Sequence, residues 1–532
     1  MTTIDDRAKR LTLLACILGS TIVMVDGSAV NVALPQIREH LGGGLAGQQW
    51  TSNAYLLTLG SLLMVAGSLG DVYGERRIFL LGVIGFGVTS VLCAFAPSIE
   101  VLIVGRALQG VSGALLTPAA LAVIVATFGP DERNRAIGRW TAWGGLGAAG
   151  GPLLGGWLVD AASWRWVFLI NVPLVLVTAW LILRAVPATS VRRERRLDLL
   201  GALLCAVGLG GVTFGLIQQP LSGWGSPAVL VGLLGGAAVF VAFLLHERRT
   251  ADPMLPLKLF GRRNFVFGNV ETLLVYAGLS LLTFYLVIFL QQTAGFDALK
   301  AGATMLPVTI VMLVAAGWFG AQADRFGPRW FMGVGPLVCG AGLLLLLRVD
   351  TDVRYLVDLL PAITVFGLGL AITVAPLTAT VLADADRENA GAASGVNNAI
   401  ARIAGLLGIA AVGVAVAAGF ASGIDDRTRD AALGPAARAV VDDVRDSPFS
   451  APELDGLPPA EAAVVATAAR DASVDAHRLA MGSAAALLLL GGLIGLLGIR
   501  NPRRRVLARE CAGGQVVGQP VDAGQPSADP VI

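Results

Sequence analysis

The chain has 532 residues, a formal net charge of +2 and 55% apolar residues, and its mean hydropathy is +0.73. Only 14% of the residues are charged, against roughly 25% in soluble domains, which excludes one large soluble core. The near-neutral balance gives no footprint for nucleic acid, and the basic residues fall in short blocks between apolar runs, a membrane-topology pattern.

Apolar runs of about 20 residues, each long enough to cross a bilayer, recur along almost the whole chain. They predict helical spans near 11–34, 48–70, 77–96, 101–127, 135–158, 165–184, 198–218, 228–245, 265–290, 300–322, 330–347, 355–382, 391–419 and 479–499, fourteen in all. Helices are expected because lipid offers no partner to open backbone groups. The first run follows the short basic segment 1–10 but holds Asp26 and ends in no small-residue cleavage site, so it reads as a permanent span. Residues 420–477 are expected to form a long outer loop with helical stretches such as Glu461–Arg470, and 500–532 a disordered tail. Cys16, Cys93, Cys205 and Cys339 sit in apolar segments and Cys511 in the tail, with no spacing that predicts a disulfide framework.

Orientation follows Lys and Arg in the short loops. One set of loops holds Arg7, Lys9 and Arg10, Arg76 and Arg77, Arg133 and Arg135, Arg192–Arg196, Arg248–Arg263, Arg325 and Arg329, and Arg503–Arg505. The opposite set holds few: Arg38, Lys300, Arg348 and Arg354. Both termini are therefore expected in the cytoplasm, and an even span count agrees.

Self-similarity supplies the next clue. Gly67-Ser-Leu-Gly-Asp71-Val-Tyr-Gly74-Glu-Arg76 matches Gly320-Ala-Gln-Ala-Asp324-Arg-Phe-Gly327-Pro-Arg329 in the spacing of Gly, Asp, Gly and Arg. Gly67 and Gly320 let helices approach, while Gly74 and Gly327 permit tight turns. Asp71 and Asp324 can accept from helix N-termini, and the Arg residues can pair across to them. Duplicated halves around a central site are a transporter architecture. On this repeat the chain resembles the major facilitator superfamily over about residues 10–420 plus the last span. Fourteen spans resemble its drug:proton antiporter family of the EmrB/QacA type. The resemblance implies an all-α polytopic protein with a major facilitator fold: a six-helix half at 11–184, two extra helices within 185–264, and a second six-helix half at 265–499. The second copy departs at Pro328, where the first has Glu75.

Candidate chemistry lies inside the spans. The first carries Asp26-Gly-Ser-Ala-Val-Asn31. A carboxylate in a membrane helix is costly when charged and marks function by default, so Asp26 is a candidate proton carrier. The pattern resembles the first-helix motif of the fourteen-span family. The fourth span, Gly105-Arg106-Ala-Leu-Gln109-Gly110, resembles a motif whose Arg is implicated in proton transfer. At 1.5 Å per residue Asp26 lies about 22 Å from the cytoplasmic end of its helix and Arg106 about 8 Å from the outer end of its own. Both fall at one level of a ~30 Å core. In the resembled fold the first and fourth helices both line the central cavity, so the resemblance implies an Asp26–Arg106 pair, direct or through water, with Arg106 pinning backbone carbonyls as the alternative. In the fifth span Gly147, Gly151, Pro152, Gly155 and Gly156 allow close packing and a bend, and they resemble the motif of major facilitator antiporters. Trp164 and Trp166 follow and read as interfacial anchors. Glu271 in the ninth span is a second proton site or a contact for a cationic substrate. Arg402 needs a partner, with Glu271 or a backbone carbonyl as candidates. Asn31, Gln109, Tyr276, Tyr285, Asn398 and Arg402 are expected to line a substrate cavity.

No Gly-x-x-x-x-Gly-Lys-Ser/Thr phosphate loop is present, and His40, His246 and His477, at span ends or in the outer loop, suggest no metal or triad site. The chain is thus expected to be a transporter and not an enzyme: a proton-driven antiporter that exports small amphipathic compounds across the cell membrane. No cofactor is expected, with the proton gradient as energy source. A small-molecule substrate, protons and the bilayer are the expected partners, without nucleic acid, and the chain is expected to act as a monomer. The turns at Gly67–Arg76 and Gly320–Arg329 would latch the outward-open state. An exporter or flippase dedicated to a lipid or a self-made antibiotic, and a proton-coupled nutrient symporter, stay open as alternatives.

Overall fold

The computed structural model describes residues 6–501 apart from 129, 188–197, 251–252, 254, 256, 384–389 and 446. The expected disordered tail and Cys511 lie outside these residues, apart from Arg500 and Asn501.

Among the described residues, fourteen long helices follow one another along the chain. They are α1 (Asp6–Leu41), α2 (Gly44–Tyr73), α3 (Glu75–Ala94), α4 (Ile99–Thr127) and α5 (Pro130–Ala161), then α6 (Arg165–Ala185), α7 (Leu199–Ser222), α8 (Pro227–Arg249) and α9 (Arg263–Gln292). The rest are α10 (Leu306–Phe326), α11 (Pro328–Arg348), α12 (Tyr355–Val381), α13 (Ala390–Thr428) and α14 (Pro459–Gly498). Among the described residues, twelve helices are long and apolar enough to cross a membrane. The other two of the fourteen, α2 and α5, have 30 and 32 residues and stand where the second and fifth spans are expected.

Helices α1–α6 form one half and α9–α14 the other, with α7 and α8 between them. The α7–α8 hairpin closes through glycines: a Cβ on Gly211 would lie 2.8 Å from Gly236 Cα. Such close backbone approach replaces the hydrophobic drive that lipid removes. Cys205 and Leu209 of α7 pack with Leu56 and Leu57 of α2 and with Ile403 and Leu406 of α13. The hairpin therefore straddles the seam between the halves.

The outer loop differs from expectation. Helices α13 and α14 have 39 and 40 residues, close to 60 Å at 1.5 Å per residue, and so run well past a ~30 Å core. Alanine-rich sequence sustains both extensions, and Arg427 of α13 pairs with Asp475 of α14. A short helix, Pro435–Arg445, tucks Ala437, Val441 and Val444 under the loop. Past it Phe449 (φ 67°) is buried against Tyr285 at 6.3 Å between ring centroids.

The repeated turns are copies in shape. Gly74 has φ 91° and ψ 131°, and Gly327 has φ 88° and ψ 148°, a positive-φ region that glycine enters without cost. Arg76 donates to Leu183 O at 2.7 Å and Arg329 to Leu496 O at 2.6 Å. Each arginine thus caps the last turn of the final helix of its half, α6 or α14, where carbonyls lack helical partners. The side chains of Asp71 and Asp324, their expected partners, lie outside the described residues. These contacts gather both turns, the start of α1 and the finish of α14 at one end of the bundle, here the terminal end. The opposite end is the distal end.

Candidate functional site: a caged carboxylate and the seam around it

Asp26, on α1, is fully buried. Its carboxylate accepts three hydrogen bonds: Arg106 Nη1 to Oδ2 at 2.6 Å, Gln109 Nε2 to Oδ1 at 3.0 Å, and Asn171 Nδ2 to Oδ1 at 2.9 Å. Helical spacing puts Arg106 and Gln109, three residues apart on α4, on the same face, and Arg106 Nη1 also donates to Gln109 Oε1 at 2.6 Å. Gln109 Nε2 and Asn171 Nδ2 both reach Ser90 Oγ on α3, at 2.8 and 3.3 Å. From α2 Thr51 supplies its carbonyl to Arg106 Nε at 3.1 Å, and the Tyr55 ring lies 4.2 Å from the guanidinium carbon. Five of the six helices of the first half therefore contribute to one charge-neutral cage. A buried carboxylate persists only with this kind of pairing.

Sequence reasoning reaches Asp26, Arg106 and Gln109 but misses Ser90, Thr51, Tyr55 and Asn171. Gln109, expected in the substrate cavity, instead holds the cage together. Asn171 follows the tryptophan motif, whose reading as an interfacial anchor fails for Trp164: it is fully buried, edge-on to Phe168 at 6.2 Å. Trp166, two residues on, is exposed as an anchor should be.

The glycines of α5 serve two partners. Gly147, Gly151 and Gly155, four residues apart, meet Thr21, Ser28 and Ala29 of α1, with no room for a Cβ at any of them. Pro152 and Gly156, on the adjoining face, meet the helix Ala298–Ala303 of the other half: a Cβ on Gly156 would lie 2.5 Å from Ala298 O, and Gly302 abuts Pro152 O. Asp160 caps that helix, accepting from Ala298 N at 3.1 Å and Leu299 N at 2.7 Å. Nearby, Gln49 Nε2 and Tyr285 Oη are joined at 3.1 Å, and the Tyr285 hydroxyl donates to Ile409 O at 3.2 Å. Arg38 donates to Gln292 Oε1 and to Pro448 O, both at 3.2 Å, and Gln291 to Val32 O at 3.0 Å. Tyr285 is therefore part of a seal at the distal end and not a cavity wall. Among the described residues, the hydrogen bonds between the halves fall at this end or at the level of Met24.

The remaining candidates separate. Glu271 is fully buried on α9, and neither carboxylate oxygen has a hydrogen-bond partner among the described residues. It faces α14 and α11: a Cβ on Gly495 would lie 2.9 Å from its Oε2, and Gly495 in turn abuts Met332 O. Arg402 does not reach it. Its guanidinium crosses the seam toward Met24 of α1, with Nη2 4.0 Å from Sδ. Tyr276 and Asn31 are half-buried and Asn398 is exposed. His477, expected near the edge of the loop, is buried within α14 and stacked on Phe289 at 4.2 Å.

Known proteins give the same frame. Residues 16–409 match the Major Facilitator Superfamily. The chain is similar to the tetracenomycin C resistance and export protein of Streptomyces glaucescens, 34% identical over 91% of this chain and 90% of that one. It is also similar to the probable actinorhodin transporter of Streptomyces coelicolor, 37% identical over 76% and 72%, and to the multidrug resistance protein Stp of Mycobacterium tuberculosis, 33% identical over 82% of each. In fold it resembles an inward-facing bacterial homologue of the lysosomal transporter Spinster, with a TM-score of 0.64, 18% identity and coverage of 94% of this chain and 100% of that one. Twelve apolar helices, duplicated turns, a caged intramembrane carboxylate and these matches agree: the chain is a multi-pass membrane transporter that belongs to the Major Facilitator Superfamily.

Proposed function

We propose that the protein is a proton-driven antiporter that exports small amphipathic compounds by alternating access. The observation that carries this reading is Asp26, a buried carboxylate held by three donors within a family of transporters. In the state described, three N–H groups meet both carboxylate oxygens. Rocking of the halves breaks and re-forms these contacts, and Asp26 carries the proton through that cycle. The cycle then needs no energy source besides the gradient. Pro152 and the α5 glycines support export through their resemblance to the motif of major facilitator antiporters. The basic loops support a cytoplasmic terminal end in the cell membrane. Several relatives are named as drug or antibiotic resistance proteins, which supports a drug-like cargo.

A second reading, an exporter dedicated to one self-made antibiotic, is favoured by the relatives named for export of tetracenomycin C and for actinorhodin. Transport in everted vesicles tests both. Acid inside should drive uptake of a fluorescent dye. Uptake driven by acid outside identifies a symporter and overturns the proposal. Transport confined to one compound among cationic, neutral and anionic dyes selects the dedicated exporter.

A further inference from the structure

Among the described residues, the intramembrane charges of the seam are unequal. Asp26 and Arg106 neutralise one another at 2.6 Å. Glu271 is turned into the second half, against α14. Arg402 remains, and no described carboxylate lies within ion-pair range of it. Its Cβ side packs at Gly60 of α2, where a Cβ would approach to 3.3 Å. Its head passes to Met24, two residues before Asp26, through a contact to sulfur, which is a weak acceptor. The guanidinium also lies close enough to Tyr55 and Tyr276 to act on both electrostatically. Arg402, Met24 and Tyr276 are only half-buried, and Asn398, one turn away on the same face of α13, is exposed. These residues come from α1, α9 and α13, which pack together at the seam.

An uncompensated guanidinium in a membrane protein is expensive and marks a binding function, with the counter-charge as its missing partner. Its planar fork matches two oxygens of a carboxylate or a phenolate–carbonyl pair. The tyrosine rings and the Met24 thioether beside it suit a flat aromatic body.

We propose that Arg402 is the specificity-determining residue of the substrate site, and that the cargo class is acidic aromatic compounds bearing a carboxylate or an ionised phenol. This rests on the reading of the seam as an export cavity. The anion would complete a second neutral pair beside the first, about one helical turn from the Asp26 cage. Cargo and proton are then sensed by separate guanidiniums, Arg402 and Arg106, linked through Tyr55, which lies near both.

The test uses two dyes on one ring system, anionic fluorescein and cationic rhodamine 6G. Binding is measured by fluorescence polarisation on the full chain in phosphatidylcholine nanodiscs, so that no anionic lipid competes. Wild type should bind fluorescein more tightly. R402Q should weaken fluorescein by about tenfold or more, the scale of a charge-assisted bond, and leave rhodamine 6G unchanged or tighter, while R402K retains part of the preference. Equal weakening of both dyes makes Arg402 structural, and a wild type without preference for fluorescein, or binding neither dye, overturns the proposal. Addition of phosphatidylglycerol that displaces fluorescein supports the anion site but assigns its occupant to lipid, which overturns the cargo class. Vesicle transport is scored separately: wild type that binds fluorescein but lacks pH-driven export refutes the antiporter reading and leaves the anion site standing.

Discussion

Replacing Asp26 with Asn probes the cage with almost no change of shape. The carboxylate accepts on both oxygens, from Arg106 on one and from Gln109 and Asn171 on the other. An amide has one oxygen and one NH2, so in either orientation a donor faces a donor. With its oxygen toward Gln109 and Asn171, its NH2 meets Arg106 Nη1; turned over, it opposes two amides. In both cases Arg106, with 2% of its side chain exposed, loses its counter-charge. Breaking a buried pair by removing one partner costs about 3–5 kcal/mol, which is roughly two to four decades in an equilibrium constant. That cost falls on the state described here, closed at the distal end. Asp26→Asn should therefore lose uphill, pH-driven dye uptake in everted vesicles while the protein remains in the membrane. It should also lower the thermal unfolding midpoint in detergent. Arg106→Gln alone should destabilise similarly, and the double variant should recover most of the midpoint without recovering uptake, because no charge is left stranded. Wild-type uptake by Asp26→Asn refutes the proton-carrier role, and strictly additive midpoints refute the energetic importance of the pair.

Three further outcomes follow from the geometry. Gly302→Val drives a side chain into Pro152 O, so it should open the distal seal and raise labelling of Asn31→Cys by an impermeant maleimide applied from outside; unchanged labelling contradicts the seal. Glu271→Gln exchanges an unpartnered buried carboxyl for an amide of like shape, so the unfolding midpoint should hold and the protons moved per dye should fall; a lowered midpoint means Glu271 has a stabilising partner, and an unaltered ratio removes it from coupling. Arg76→Ala and Arg329→Ala each delete one bond to a helix-terminal carbonyl, about 1 kcal/mol apiece, and should slow turnover by similar factors at unchanged substrate preference; unequal effects deny the two turns equivalent roles.

The fold was legible because a bilayer leaves little choice: long apolar runs become helices, and the repeat of Gly74 and Gly327 marks two turns that demand positive φ. The level of Asp26 and Arg106 could be read from the rise of a helix, and the structure joins them. Ser90, Thr51 and Asn171 could not be read this way. A small polar residue in a span looks the same whether it packs, caps or holds a carboxylate, and only the crossing of α3, α2 and α6 decides. Trp164 shows the same limit, since hydropathy cannot say which side of a broken helix faces lipid. The outer loop was misjudged because alanine-rich polar sequence ends an apolar run without ending a helix. Among the described residues Arg402 has no carboxylate partner, and its reach to α1 depends on α2 offering Gly60.

The hairpin of α7 and α8 makes the connection between the halves something other than a slack tether. Its backbone-to-backbone glycine contacts make it a stiff plate. One aliphatic surface of that plate touches α2 and α13 together. When one half tilts against the other, the plate cannot follow both, so it must glide over at least one of them. Leucine and isoleucine methyls offer a surface on which a small displacement exchanges one contact for another of similar worth. Under the proposed alternating access, the two extra helices would serve as a sliding bearing laid along the joint between the halves.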